Sequence, residues 1–233
     1  MKTPQKSGFT LIEMIGVLAI IGILAAVVAP RVIESIRDAK VTSAIGSVNS
    51  AKSAALSYYQ RYDRFPEDGT LLTIVDYRTD PSGATTVSGV SADFGDLLVL
   101  QEQLLEAERT PIGEDIGGKE WAVGCAKLDS SYTAVLDAGG SNATYGTPFV
   151  FKSAGRASRV VYFMMPNLTE QETAALATKV NGPFPNEVQG SLNIIGESLA
   201  SGGTPLLNID GANAWFIDNG DTTYDAFLYV AHQ

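Results

Sequence analysis

The chain has 233 residues and a formal net charge of −10, with 26 acidic against 16 basic side chains. Such a surface repels nucleic-acid phosphates, and no dense Lys/Arg patch with interleaved aromatics offsets it, which argues against direct nucleic-acid binding. The sole histidine, His232, sits beside the C-terminus, where fraying is expected, which argues against a Ser-His-Asp or Cys-His arrangement, and metal hydrolysis lacks ligands too, so no enzyme activity is expected.

Residues Met1 to Gly8 carry Lys2 and Lys6 and no acid, a positive leader that the positive-inside tendency holds in the cytoplasm. Phe9 to Pro30 follows as 22 residues that are free of charge except at Glu13. As a helix this run is about 33 Å long, enough to cross a hydrocarbon core of roughly 30 Å. A signal peptide cut near Val27-Val28-Ala29 and an ordinary single-pass anchor are the simpler readings. The apolar run exceeds a signal core, which is about 7 to 15 residues, and neither reading accounts for Gly8 or Glu13. A charge deep in a bilayer costs roughly 2.5 to 3.5 kcal/mol on insertion scales, so Glu13 is expected to have a partner. Near a helix start it also gains from the helix dipole. Gly16 and Gly22 each lower helix propensity by about 1 kcal/mol, and Pro30 removes a backbone donor, so the span is built to deform. The same small residues allow close helix packing.

The run Lys6-Ser7-Gly8-Phe9-Thr10-Leu11-Ile12-Glu13-Met14-Ile15-Gly16-Val17-Leu18-Ala19-Ile20-Ile21-Gly22-Ile23-Leu24-Ala25-Ala26 resembles the N-terminus of type IV pilins and type II secretion pseudopilins. The resemblance is strong over about the first thirty residues, weak along the following helix, and says little beyond residue 66. It implies cleavage between Gly8 and Phe9 by a prepilin peptidase, methylation of the new Phe9 amine, and uptake by an inner-membrane assembly platform. It further implies pairing of the Phe9 amine with Glu13 of a neighbouring subunit, and local unwinding between Gly22 and Pro30 in an assembled filament. The assembly residues are then Phe9, Glu13, Gly22 and Pro30.

Beyond Pro30 the pattern turns amphipathic. Ile33, Ile36, Val41, Ala44, Ile45, Val48, Ala51, Ala55, Leu56 and Tyr59 recur at threes and fours, with charged and polar residues between them. One helix is expected from Phe9 to about Tyr62, ending near Arg64-Phe65-Pro66 because Pro66 disfavours a helical Phe65. Tyr58, Tyr59, Tyr62 and Phe65 read as core and helix-seam residues. The organisation expected is a leader over 1–8, a membrane half over 9–30, an amphipathic half over 31–65, and one globular domain over 66–233.

In that domain Thr79 to Ser91 reads as a mobile connector, and Phe94 to Glu108 as a surface helix with alternating apolar and acidic residues. Strands are expected at Glu120 to Leu128, Tyr132 to Leu136, Phe149 to Lys152, Arg159 to Met165, Ala214 to Ile217 and Ala226 to Ala231. A helix over Thr169 to Val180 has Thr169 as N-cap and Glu172 three residues on, and Asn181-Gly182-Pro183 ends it. The fold class is α+β, a long helix packed on an antiparallel sheet domain, pilin-like by the resemblance.

Cys125 alone cannot form an intrachain disulfide and reads as packing. Many pilins tie down a C-terminal loop with a disulfide, so here that loop needs another staple. Asp210, Asp218, Asp221 and Asp225 offer hard oxygen ligands in a turn-rich stretch, the set that calcium prefers and that some pseudopilins use. The spacing is not that of an EF-hand, and these are also ordinary turn residues. No cofactor is firmly expected. The leading functional expectation is a filament subunit, single-pass in the inner membrane before assembly, with its domain in the periplasm or outside. A type IV pilin and a type II secretion pseudopilin share this N-terminus. The other classes are a minor adhesin-like binding subunit and a simple membrane-anchored periplasmic protein.

Overall fold

The computed structural model describes residues 10–66, 73–88, 93–116, 119–127, 133–134, 149–150, 159–181, 214–219 and 222–233. Two units make up the chain, Met1–Ala39 and Lys40–Gln233. Helix α1, Leu11–Tyr62, begins in the first and ends in the second, with Pro30 inside it. In the first unit every large apolar side chain from Leu11 to Ile36 that the helix carries is exposed, Ile33 and Ile36 included. The stripe expected to bury from Ile33 onward therefore begins only at Val41.

Within the second unit, Val41, Ala44, Val48, Ala51, Ala54, Ala55 and Tyr58 are buried at steps of three and four, which is the stripe a core-facing helix presents. Leu56, expected on that stripe, is exposed. Ser47, Ser50, Ser53 and Ser57, and Ser35 in the first unit, each donate a hydroxyl to the carbonyl four residues back. The helix stops at a left-handed Asp63, φ 54°, before Pro66. There Phe65 is buried; its N–H donates to Gln233 Oε1 at 3.0 Å and its carbonyl accepts from Arg159 Nη1 at 2.6 Å. Tyr58 and Phe65 both meet Phe94 edge to face, with centroids 5.2 and 5.9 Å apart, the geometry that aromatic quadrupoles favour.

The main sheet is antiparallel, four strands in the order β3-β6-β8-β7: β3 Ala122–Lys127, β6 Arg159–Thr169, β7 Ala214–Asp218 and β8 Thr223–His232. These match the expected strands, with β6 running on through Pro166-Asn167-Leu168 to Thr169. Strand β6 lies inside the sheet and is buried at nearly every position, so its sequence reads as a continuous apolar run rather than an alternation. Phe163, Met164, Met165 and Phe227 are fully buried, each contributing about 1.5–3 kcal/mol. Gly124 pairs with Tyr162, and a side chain there would enter the Tyr162 ring. Cys125 packs at the core edge and its Sγ donates to the Pro66 carbonyl at 3.7 Å. A smaller pair joins β4 Thr133–Ala134 to β5 Phe149–Val150; the rest of those two expected strands, like Leu128, lies outside the described residues. Helix α3, Glu170–Asn181, begins at the expected cap: Thr169 N–H donates to Glu172 Oε2 at 3.0 Å, and Glu172 N–H returns to Thr169 Oγ1. The architecture is α+β, as expected.

Two further expectations are corrected. Of the expected connector, residues 79–88 are held by hydrogen bonds. Strand β2, Thr86–Ser88, pairs with β1, Thr73–Val75, and the carboxylate of Asp80 collects the Ser82 and Thr85 hydroxyls and N–H groups. Those donors, Ser82 hydroxyl foremost, hold Asp80 down at about 2. The surface helix over Phe94 to Glu108 is instead a short turn, α2 Phe94–Asp96, leading into a π-helical segment, Leu97–Gln101. Phe94, Leu97, Leu98, Val99 and Leu105 point into the core. The apolar residues at helical spacing are real, but they are spent on burial.

Candidate functional site

The first backbone N–H groups of any helix lack intrahelical acceptors. At the start of α1, Thr10 and Glu13 supply them to each other. Thr10 N–H and Thr10 Oγ1 both donate to Glu13 Oε2 at 2.8 Å, and Glu13 N–H donates to Thr10 Oγ1 at 3.3 Å. This is a capping box, Thr-x-x-Glu, the same device that starts α3. It gives the carboxylate a local purpose that the apolar context hid, and the spacing that revealed Thr169 and Glu172 was present here too. Gly8 and Phe9, the expected processing pair, lie outside the described residues.

After this cap comes a helix long and apolar enough to cross a membrane, with mean hydropathy 2.8 over its best window and none of that window buried. Gly16 and Gly22 have open space around them, so an added side chain would meet nothing in the single chain. Helical geometry is continuous through Pro30; the unwinding expected between Gly22 and Pro30 concerns an assembled filament.

Of the four calcium candidates, Asp210 and Asp221 lie outside the described residues, and Asp218 is the last residue of β7, opposite Tyr224. Asp225, fully buried on β8, has both oxygens engaged. Its Oδ1 accepts from Asn167 N–H at 2.9 Å and Asn219 Nδ2 at 3.1 Å, and its Oδ2 accepts from Lys119 Nζ. Lys119 Nζ also donates to Asn219 Oδ1 at 2.8 Å. Asn167, left-handed at φ 50° where β6 slips register against β8, donates its side-chain nitrogen to the Glu114 and Ile116 carbonyls. This network ties three chain segments together at the end of the sheet. Lys119, Asn167 and Asn219 carry no local sequence signal, since the network closes only when β6, β7 and β8 pair.

A second cluster also escaped the sequence. Carboxylate oxygens of Asp93, Asp96 and Glu108 lie within 4.8 Å of one another. Asp93 caps α2 through Asp96 N–H at 2.8 Å, Glu108 accepts from Val123 N–H at 3.3 Å, and Gly95 leaves the room that the Glu108 carboxylate occupies. Burial, then the charge of Asp96, pushes Asp93 up to about 8; burial, then the charges of Asp93 and Asp96, raises Glu108 well above the carboxylate range; and burial raises Asp96. Arg78 and Arg109 line the same cavity, but Arg78 is turned to the Glu106 carbonyl, and Arg109 to Asp115 and the Trp121 face.

The prokaryotic N-terminal methylation motif matches residues 3–29. The type IV major pilin protein PilE of Neisseria gonorrhoeae is 30% identical over 133 residues, 56% of this chain and 73% of that protein. PilE1 from the same organism is 41% identical over 83 residues, 36% of this chain and 50% of that protein. The type II secretion system core protein G of Pseudomonas aeruginosa is 47% identical over 70 residues, 30% of this chain and 48% of that protein. The chain thus spans about half the length of several curated relatives it matches. Among solved structures, the major type IV pilin PilA1 from Clostridium difficile aligns over 84% of this chain and 97% of its own at 19% identity, with a TM-score of 0.30. By its motif and its relatives, the chain belongs to the type IV pilin and pseudopilin family of structural subunits.

Proposed function

We propose that this chain is a prepilin-type structural subunit, cut after Gly8 by a prepilin peptidase, N-methylated at Phe9, and polymerised through its N-terminal helix into a type IV pilus. The observation that carries the reading is an apolar, wholly exposed helix start whose one carboxylate sits in the first turn. An apolar surface of that size needs lipid or other subunits around it. In the membrane the lipid tails cover it; in a filament, helices of neighbouring subunits do. Both Thr10 contacts of Glu13 fall on Oε2, so Oε1 can accept from the Phe9 amine of the next subunit without breaking the cap. Pairing of these two charges then favours assembly in one register. The leader stays in the cytoplasm, the domain faces the periplasm or the exterior, and an inner-membrane platform extracts the subunit.

A type II secretion pseudopilin is the second reading, favoured by the similarity to core protein G over 70 residues. The deciding measurement is the intact mass and first residue of the protein from its own membranes. A methylated Phe9 start supports the prepilin route, and retention of residues 1–8 in a host with an active peptidase refutes it. Gly8→Ala should accumulate uncut protein. Filaments sheared from the cell surface would then favour the pilus, and short periplasmic filaments the pseudopilus.

A further inference from the structure

We propose that Lys119 and Asn219 become joined by an intramolecular isopeptide bond, promoted by Asp225. The three side chains are already in mutual contact. Lys119 Nζ lies 2.8 Å from the side-chain oxygen of Asn219, and a carbonyl bond of about 1.23 Å puts the amide carbon within about 4 Å of that nitrogen, close to the roughly 3–3.5 Å separation of a near-attack arrangement. The Asn219 amide has one orientation that suits all its neighbours. Its nitrogen faces three acceptors, Thr223 Oγ1 at 3.1 Å, Asp225 Oδ1 at 3.1 Å and Asn167 Oδ1 at 3.4 Å, and its oxygen faces the ammonium. The fully buried Asp225 carboxylate bridges both reactants, one oxygen on Lys119 and the other on the amide nitrogen that would leave. Positioning of this kind converts a slow bimolecular aminolysis into a unimolecular step.

The step balances without an outside reagent. Asp225 takes one proton from the Lys119 ammonium, and the freed Nζ lone pair attacks Cγ of Asn219 to form the C–N bond. Asp225 returns that proton to the amide nitrogen as the Cγ–Nδ2 bond breaks. Nδ2 departs as ammonia, and the second Nζ proton goes with it as ammonium. The product is a neutral secondary amide between residues 100 apart in sequence, with Asp225 again a carboxylate. This inference does not rest on filament assembly; it needs only the folded domain.

The test is the intact mass of the full-length protein in detergent, after prolonged incubation of the folded state, followed by proteolysis. The expected result is a chain lighter by one ammonia than its processed sequence, and a branched peptide linking the segments around Lys119 and Asn219. The Asn219-Gly220 step offers a competing ammonia loss, closure of Asn219 onto its own backbone, which leaves the two peptides separate. Lys119→Arg, which keeps the cation, should restore the full mass if the cross-link is the cause. Asp225→Ala should also restore it, and the Arg variant keeps the result readable should the Ala variant fail to fold. A wild-type chain at full mass, an ammonia loss without a branched peptide, or a loss that persists in Lys119→Arg would each overturn the proposal.

Discussion

Asp93→Asn should raise the thermal stability of the protein at alkaline pH and leave it nearly unchanged at acid pH. Two unit charges within 4.8 Å repel by about 3.5 kcal/mol at an effective dielectric near 20. The substitution removes two of the three repulsive pairs among Asp93, Asp96 and Glu108, while the Asn oxygen can still accept from Asp96 N–H and keep the cap. All three carboxyls are raised by burial, so the folded domain holds protons that the unfolded chain has already released. Stability from this cluster is therefore complete below the ordinary carboxylate range and declines as pH rises through the value near 8 of Asp93. The three side chains are only half-buried, so solvent screens part of the repulsion, leaving an expected gain of about 2–4 kcal/mol at pH 9. For a domain of this size that is roughly 5–10 °C in Tm, against a degree or two at pH 5. Differential scanning calorimetry of both proteins in detergent from pH 5 to 9 reads this directly. Parallel Tm curves, or a variant destabilised at every pH, would refute the reasoning.

Glu13→Val should leave the protein inserted and folded but lower filament yield or Phe9 methylation, read by shearing yield and N-terminal mass; wild-type values for both would remove the pairing of Glu13 with a neighbour's amine. Thr169→Ala should cost about 1 kcal/mol by opening the cap of α3, or about 2–4 °C in Tm, and an unchanged melting curve would mean that Glu172 does not depend on its partner. Calcium held by Asp210, Asp218 and Asp221 is a proposal that chelation decides: a lower Tm in chelator, reversed by added calcium, supports it, and an unchanged Tm ends it.

Helix α1 was legible because an unbroken apolar run after Glu13 gives way to apolar residues at steps of three and four, the stripe from Val41 to Tyr58. Strands β3, β6, β7 and β8 were legible from short apolar runs between turn residues. The three-residue strands β1 and β2 were not, because at that length pairing decides the conformation and propensity does not. Phe94 to Glu108 misled for a different reason. Spacing tells which residues share a face but not which way the face turns, and here the apolar residues face the core while Asp93, Asp96 and Glu108 crowd together. At the candidate site, Glu13 was legible as an anomaly, and its neighbour three residues back was overlooked. Asp225 was legible only as an oxygen donor in a turn-rich stretch; its meeting with Lys119 and Asn219 was not, since it joins positions 100 apart through β-sheet pairing.

The serine ladder along α1 has a consequence for any neighbour that comes against it. Each hydroxyl from Ser47 to Ser57 is already bonded to its own backbone, so these four side chains ask for no acceptor from what lies opposite. Water, a lipid headgroup or an apolar side chain can rest there without leaving a donor stranded. Serines with no such demands let a neighbouring helix slide or turn against them at little cost.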